Sequence, residues 1–268
     1  MPRPLIFWVL LLILPVFGAF ERTSPGAETM GLGNSLTAYP FSLYTVQYNP
    51  AAMIYHQGHK IALNFRTFYG IPGIIQGDLI GIHRIGKFPF GWEINHFGND
   101  LYQEYRMILS AAWPVSETLG IGFSATYHLL SISGYGQAQT AGFNLSVFSK
   151  LSDRFFYGAM FQNFNQPRIS HSSESLPRFL DIGICYLPSS DIFITISATK
   201  ETRFSPDIKC GIGYTPGSVI TLRLGIQDRI ESFNMGFGLK LSKFAIDYAV
   251  ALHPVLSLSH AVSVLVEL

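Results

Sequence analysis

An all-β transmembrane barrel is the fold class this sequence predicts. Charged residues make up 13% of the chain and aromatics 14%, the first about half the usual share and the second high. No apolar run beyond the N-terminus approaches the roughly 17 to 25 residues of a spanning helix. Instead, period-two alternation recurs in segments of about ten residues, each ended by turn residues. An apolar exterior without spanning helices is satisfied by a closed sheet in which all backbone groups pair. A soluble β-sandwich would also alternate, but it would bury its apolar face and carry more charge on the other.

Residues 1–19 have the pattern of a signal peptide. Pro2-Arg3-Pro4 supplies a positive start, Leu5 to Phe17 is almost unbroken apolar sequence, and Val16-Phe17-Gly18 precedes a cut after Gly18 or Ala19. The apolar run is shorter than a permanent spanning anchor needs. The expected destination is a Gram-negative-type outer membrane. The 18 Lys plus Arg nearly balance the 17 Asp plus Glu, so nothing suggests a nucleic-acid partner. Cys185 and Cys210 fall on segments separated by another strand. Two spacings of roughly 4.8 Å put them beyond disulfide reach.

Residues 58–268 carry the alternation. Ile61, Leu63, Phe65, Thr67 and Tyr69 alternate with Lys60, Ala62, Asn64, Arg66 and Phe68, one set suited to lipid and the other to an interior. Tyr105, Met107, Leu109, Ala111 and Trp113 alternate in the same way with Glu104, Arg106, Ile108 and Ser110. Ile121, Phe123 and Tyr127 are outward against Gly120, Gly122, Ser124 and His128, and these small inward residues are expected to keep the lumen open. Such segments continue to Val262–Leu268 and predict an antiparallel, up-and-down barrel of about fourteen strands. Short links such as Gly86-Lys87, Pro188 to Asp191 and Ser242-Lys243 alternate with longer ones. The longer set includes Gly70 to Gln76, Phe97 to Leu101, Ser131 to Gln137 and Asn165 to Pro177. That asymmetry is typical of periplasmic turns against external loops.

Residues 20–57 differ in texture, rich in Gly, Ala, Ser, Thr and Tyr without sustained alternation. Met30-Gly31-Leu32-Gly33-Asn34-Ser35, followed by Asn49-Pro50-Ala51-Ala52-Met53, resembles the N-terminal signature of the PorV/PorQ group within the FadL-like outer-membrane proteins. Leu258-Ser259-His260-Ala261-Val262-Ser263 resembles the closing strand of that family. The acidic residue usual between the two N-terminal motifs is absent from Pro40 to Gln47, and Ala261 stands where a basic residue often follows the histidine. The resemblance implies a fourteen-stranded barrel with residues 20–57 as a hatch in its lumen. Gly31, Gly33, Asn49, Pro50 and Ala51 then become hatch or gate candidates. Read from the residues alone, Pro50 restricts Asn49 to extended backbone and redirects the chain into the first strand.

The inward charges Lys60, Arg66, Glu93, Glu104, Arg106, Asp181, Lys209, Arg223, Lys240 and Asp247 are nearly balanced in sign. Mutual pairing is expected, because unpaired charge in low-dielectric surroundings is costly. Arg66, Glu104 and Arg106 are expected to share a network with each other or with hatch backbone. Arg223 and Asp247 complete the candidate lumen set. Replacing Arg223 with Gln is expected mainly to disturb local pairing.

Arg168, Ser170, His171, Ser172, Ser173 and Glu174 are the one cluster with hydrolase residue types, but adjacency in a loop is poor evidence for a triad. The histidines show no metal-ligand spacing, and Gly31 with Gly33 lacks the preceding strand of a phosphate loop. No cofactor is implied. The expected function is non-enzymatic: a PorV/PorQ-like partner subunit of type IX protein secretion, contacting secretion-system or exported proteins. The alternative is a FadL-like channel for a hydrophobic small molecule. An outer-membrane hydrolase is a third, disfavoured reading. Outer-membrane lipid and the barrel assembly machinery are expected partners in every case.

Overall fold

The computed structural model describes residues 19–20, 26–169, 175–202, 204–228 and 232–268. The signal-peptide expectation for 1–18 and the serine-histidine cluster at 170–174 lie outside the described residues. Fourteen strands are present. They are β1 (His59–Thr67), β2 (Ile75–Ile85), β3 (Phe88–Gly98), β4 (Tyr102–Pro114), β5 (Leu119–Ile132), β6 (Gly136–Lys150) and β7 (Phe155–Gln162). The second half comprises β8 (Phe179–Tyr186), β9 (Ile192–Glu201), β10 (Asp207–Tyr214), β11 (Ile220–Gln227), β12 (Ser232–Leu241), β13 (Phe244–Leu252) and β14 (Ser259–Glu267). Each pairs antiparallel with its sequence neighbours, and β1 pairs with β14 to close the barrel. At that seam Lys60 lies opposite Glu267 in register and bridges it at 3.0 Å. Closure leaves no edge strand, which is what makes a sheet viable in lipid.

Alternation sorts the two faces as period two requires. Leu63, Phe65, Met107, Leu109, Ile196, Leu224 and Val264 are exposed, whereas Ala62, Asn64, Arg66, Ile108 and Ser110 are buried. A continuous belt of exposed Leu, Ile, Phe and Val is untenable in water and matches a hydrocarbon surround. No helix among the described residues is long and apolar enough to cross a membrane. Leu222 is 48% exposed while its neighbour Arg223 is buried. Leu222→Arg is therefore expected to destabilise the barrel by about 2 to 4 kcal/mol if its level is near the bilayer centre. Urea midpoints and heat-modifiable mobility in gels check this, and an unchanged midpoint would contradict the facing of β11.

Two links expected to be long are short. β5 and β6 stay paired up to Ile132 opposite Gly136, so only Ser133 to Tyr135 turn the chain. The turn is tight because Gly134 and Gly136 adopt φ of 81° and 99°, which only glycine does readily. β3 likewise continues to Gly98. Cys185 is inward and buried, Cys210 lies on the other face of its strand, and both are free.

Ahead of the barrel lie α1 (Ala27–Gly31), α2 (Thr45–Tyr48) and a 3-10 turn (Pro50–Tyr55), joined mostly by turns. Helices this short do not persist alone. The barrel wall holds them: α1 packs on β11 to β14, and the 3-10 turn on β3 to β6.

Candidate functional site

The lumen is the candidate site, and its geometry follows from which inward residues lack side chains. A Cβ on Gly122 would stand 2.3 Å from the Ala51 nitrogen, and one on Gly158 would stand 2.2 Å from the Thr37 carbonyl oxygen. On the other arc, a Cβ on Gly225 would meet the Gly33 nitrogen at 2.2 Å. Real side chains do not tolerate such approaches, so these three inward glycines are places where N-terminal backbone touches the wall. This corrects the expectation that small inward residues keep the lumen open. They admit a second layer of chain, and residues 26 to 55 are almost wholly buried within it.

Inward hydroxyls and amides finish the contact by pairing the segment's backbone groups, which burial would otherwise leave unsatisfied. Ser110 Oγ donates to the Val46 carbonyl at 2.8 Å, and the Ala51 amide donates to Ser146 Oγ at 3.0 Å. The Ala27 amide donates to Ser263 Oγ at 2.8 Å. Tyr44 Oη donates to Asn64 Oδ1 at 2.6 Å. At the end with short turns, Arg84 Nη1 donates to the carbonyls of Ile54 and His56 at 2.9 Å each. The His56 imidazole is pushed down to about 4 by burial, with Lys60 adding to the shift. It is neutral at ordinary pH, and its Nε2 lies 2.8 Å from the Ser42 carbonyl oxygen.

The lumen charges fall into separate groups. Arg223 bonds Asp247 through Nη1, and its Nη2 lies 3.9 Å from Glu28 of α1. Arg223 and Asp247 sit on strands separated by β12. The pair spans the gap because Gly236 and Gly238 leave a side-chain-free path, and a Cβ on Gly238 would meet Asp247 Oδ1 at 2.3 Å. Glu28 also accepts from Ser42 Oγ at 2.7 Å. Burial pushes its carboxyl up from the usual range, and Arg223 opposes that shift.

Arg106 pairs with Glu93 at 2.8 Å. Glu104 accepts from Tyr102 Oη and, at 2.9 Å, from the backbone nitrogen of Phe20. Arg66 joins neither. The register places Arg66, Gln76, Phe97 and Glu104 at one level of β1 to β4, so Arg66 and Glu104 are about 14 Å apart at three spacings of roughly 4.8 Å. Arg66 lies over the Phe68 ring, 4.4 Å from its centroid. It faces a cavity of about 20 Å³ that also touches Asn34, Ser232, Asn234 and Ser259. The expected sharing among Arg66, Glu104 and Arg106 is thus corrected to a Glu93–Arg106 pair and an isolated Arg66, while Glu104 meets the backbone of the N-terminal segment at Phe20, the other arrangement expected. Lys60 and Lys240 both bridge Glu267.

The hatch and gate candidates are brought to two arcs of the wall. Gly31 and Gly33 lie against β11 and β12, where Gly33 has φ of 60° and abuts Ile226 backbone. Asn49, Pro50 and Ala51 lie against β5 to β7, with Asn49 Nδ2 donating to the carbonyls of Thr37 and Val147 at 2.8 and 3.1 Å. Pro50 opens the 3-10 turn, where its fixed φ and missing donor are tolerated. Sequence reasoning missed Glu28, Ser110, Ser146 and Ser263. Glu28 is the one charged residue between Gly26 and Gln57, a signal that was present. The serines share the inward parity of their strands.

No protein-family model and no curated protein matches the chain. Solved structures do. The chain is similar to the Ralstonia pickettii toluene transporter TbuX, with a TM-score of 0.71 and 13% identity over 90% of this chain and 98% of that one. It is similar to the CymD monoaromatic hydrocarbon channel, with a TM-score of 0.69 and 14% identity over 91% and 97%. A Pseudomonas aeruginosa FadL homologue matches with a TM-score of 0.64 and 11% identity over 92% and 99%. These findings overturn the expected role as a type IX secretion partner, because the structures matched over nine-tenths of the chain are hydrocarbon channels and transporters and a FadL homologue. What this chain shares with them is the fold, a closed fourteen-stranded antiparallel barrel of the FadL-like outer-membrane type.

Proposed function

We propose that this chain is an exported outer-membrane channel for hydrophobic small molecules, in which residues 20–57 act as a hatch that must shift for cargo to pass. One observation carries the reading: the N-terminal segment is packed against the lumen wall, and two cavities beside it measure about 20 and 40 Å³. An apolar cavity that holds benzene is nearer 150 Å³. Neither cavity holds a single aromatic ring, so passage through either needs the segment to move. The contacts that resist movement are wall hydrogen bonds, each a modest contribution of about 1 kcal/mol, together with the Arg223–Glu28 ion pair and the apolar packing of Tyr39, Leu43 and Val46 on the wall. The fold shared with hydrocarbon channels supports the choice of cargo.

Uptake of a radiolabelled aromatic hydrocarbon by cells making this chain is expected to exceed uptake by cells that lack it. In liposomes, deletion of residues 27–47 is expected to raise leakage of a small hydrophilic dye, because the lumen loses its filling. Equal uptake with and without the chain would sink the cargo assignment. Unchanged leakage from an assembled deletion variant would sink the hatch.

A further inference from the structure

The backbone nitrogen of Phe20 lies 2.9 Å from Oε1 of Glu104, and the Phe20 ring meets His128 edge-on with centroids 4.7 Å apart. Glu104 is buried, with 8% of its surface exposed, and forms no ion pair with a described residue. Its neighbour on the same face of β4, Arg106, is engaged by Glu93. With Arg106 bonded to Glu93, a buried carboxylate hydrogen-bonded by a tyrosine hydroxyl and a neutral amide is short of a counter-charge of its own. Phe20 also has φ of 63°, a left-handed backbone in which a non-glycine residue is crowded against its neighbouring peptide groups. Ala19, a small residue of the kind that precedes a signal-peptidase cut, stands directly before it.

We propose that the Ala19–Phe20 bond is the processing site and that Glu104 binds the α-ammonium group this cut creates, anchoring the mature N-terminus inside the lumen. Water adds across the amide: its oxygen joins the Ala19 carbonyl carbon as the C–N bond breaks, Ala19 departs with the leader as a carboxylate, and the Phe20 nitrogen takes both protons of the water and becomes an ammonium. Both anomalies are then resolved together. The carboxylate gains its cation, and loss of the Ala19 carbonyl removes the constraint that made the Phe20 backbone unfavourable. The N-terminal segment is held at both ends, by this ion pair on β4 and by the Arg84 contacts before β1. The inference goes beyond the channel reading and holds whatever the cargo is.

The test uses mature protein purified from outer membranes. Intact mass is expected to give Phe20 as the first residue. The α-amine is then labelled with an N-terminus-selective aldehyde across a pH series, in native and in unfolded protein, and in Glu104→Gln verified as folded by heat-modifiable mobility. In the wild type, the midpoint for deprotonation is expected about one unit above the usual 7.7 to 8.0, so that native labelling at neutral pH is about tenfold slower than unfolded. Glu104→Gln is expected to lose that upward displacement. A first residue other than Phe20, or a native midpoint at or below the usual range, overturns the proposal. Burial without an ion pair would move the midpoint downward, so the wild-type profile decides even if the variant does not fold.

Discussion

Arg223→Gln is expected to lower the stability of the barrel by about 3 to 5 kcal/mol, the loss typical when one partner of a buried ion pair is removed. The reason is that Arg223 answers two carboxylates, Asp247 on β13 and Glu28 on α1. Glutamine would leave both in the lumen without a cation. Read from sequence, the same change mainly disturbs local pairing, since nothing in the chain order joins residue 28 to residues 223 and 247. Urea unfolding in detergent, followed by heat-modifiable mobility, measures the effect. Adding Asp247→Asn is expected to recover a large part of it, because the second change removes one of the stranded charges. An Arg223→Gln midpoint equal to the wild type would show that the group is held by solvent instead.

Gly225→Ala is expected to open a leak while leaving barrel assembly intact. The added Cβ would stand 2.2 Å from the Gly33 nitrogen and 2.4 Å from the Leu32 carbonyl carbon. Both are backbone atoms, so no rotamer change relieves the clash. Forcing extra volume into a packed interior costs about 1 to 3 kcal/mol, and β11 is fixed on both sides by its ladders. The N-terminal segment is the partner that yields. Gly77→Ala is the matched control, since a Cβ there meets nothing within 4 Å. Conductance in planar bilayers or dye efflux from liposomes should rise for the first and stay at the wild-type level for the second. Equal values for the two would mean that glycine contacts do not seat the segment.

The barrel and its two faces were legible in the sequence because both rest on local rules. A strand turns successive side chains to opposite sides, so Leu222 and Arg223 could be assigned to lipid and lumen with no knowledge of their neighbours. Turn residues at Gly86-Lys87 and Ser242-Lys243 marked the short links for the same reason. Charge partners depend on which strands stand side by side and at what level, which parity alone does not specify. Arg66 and Glu104 share a level yet are kept apart by β2 and β3. Arg223 reaches Asp247 across a whole strand because Gly236 and Gly238 clear the way. The meaning of the inward glycines was likewise a tertiary matter. An absent side chain reads as empty space along one strand, and only the fold reveals that Leu32, Gly33, Thr37 and Ala51 fill it, since backbone can approach backbone that closely only where no Cβ intervenes.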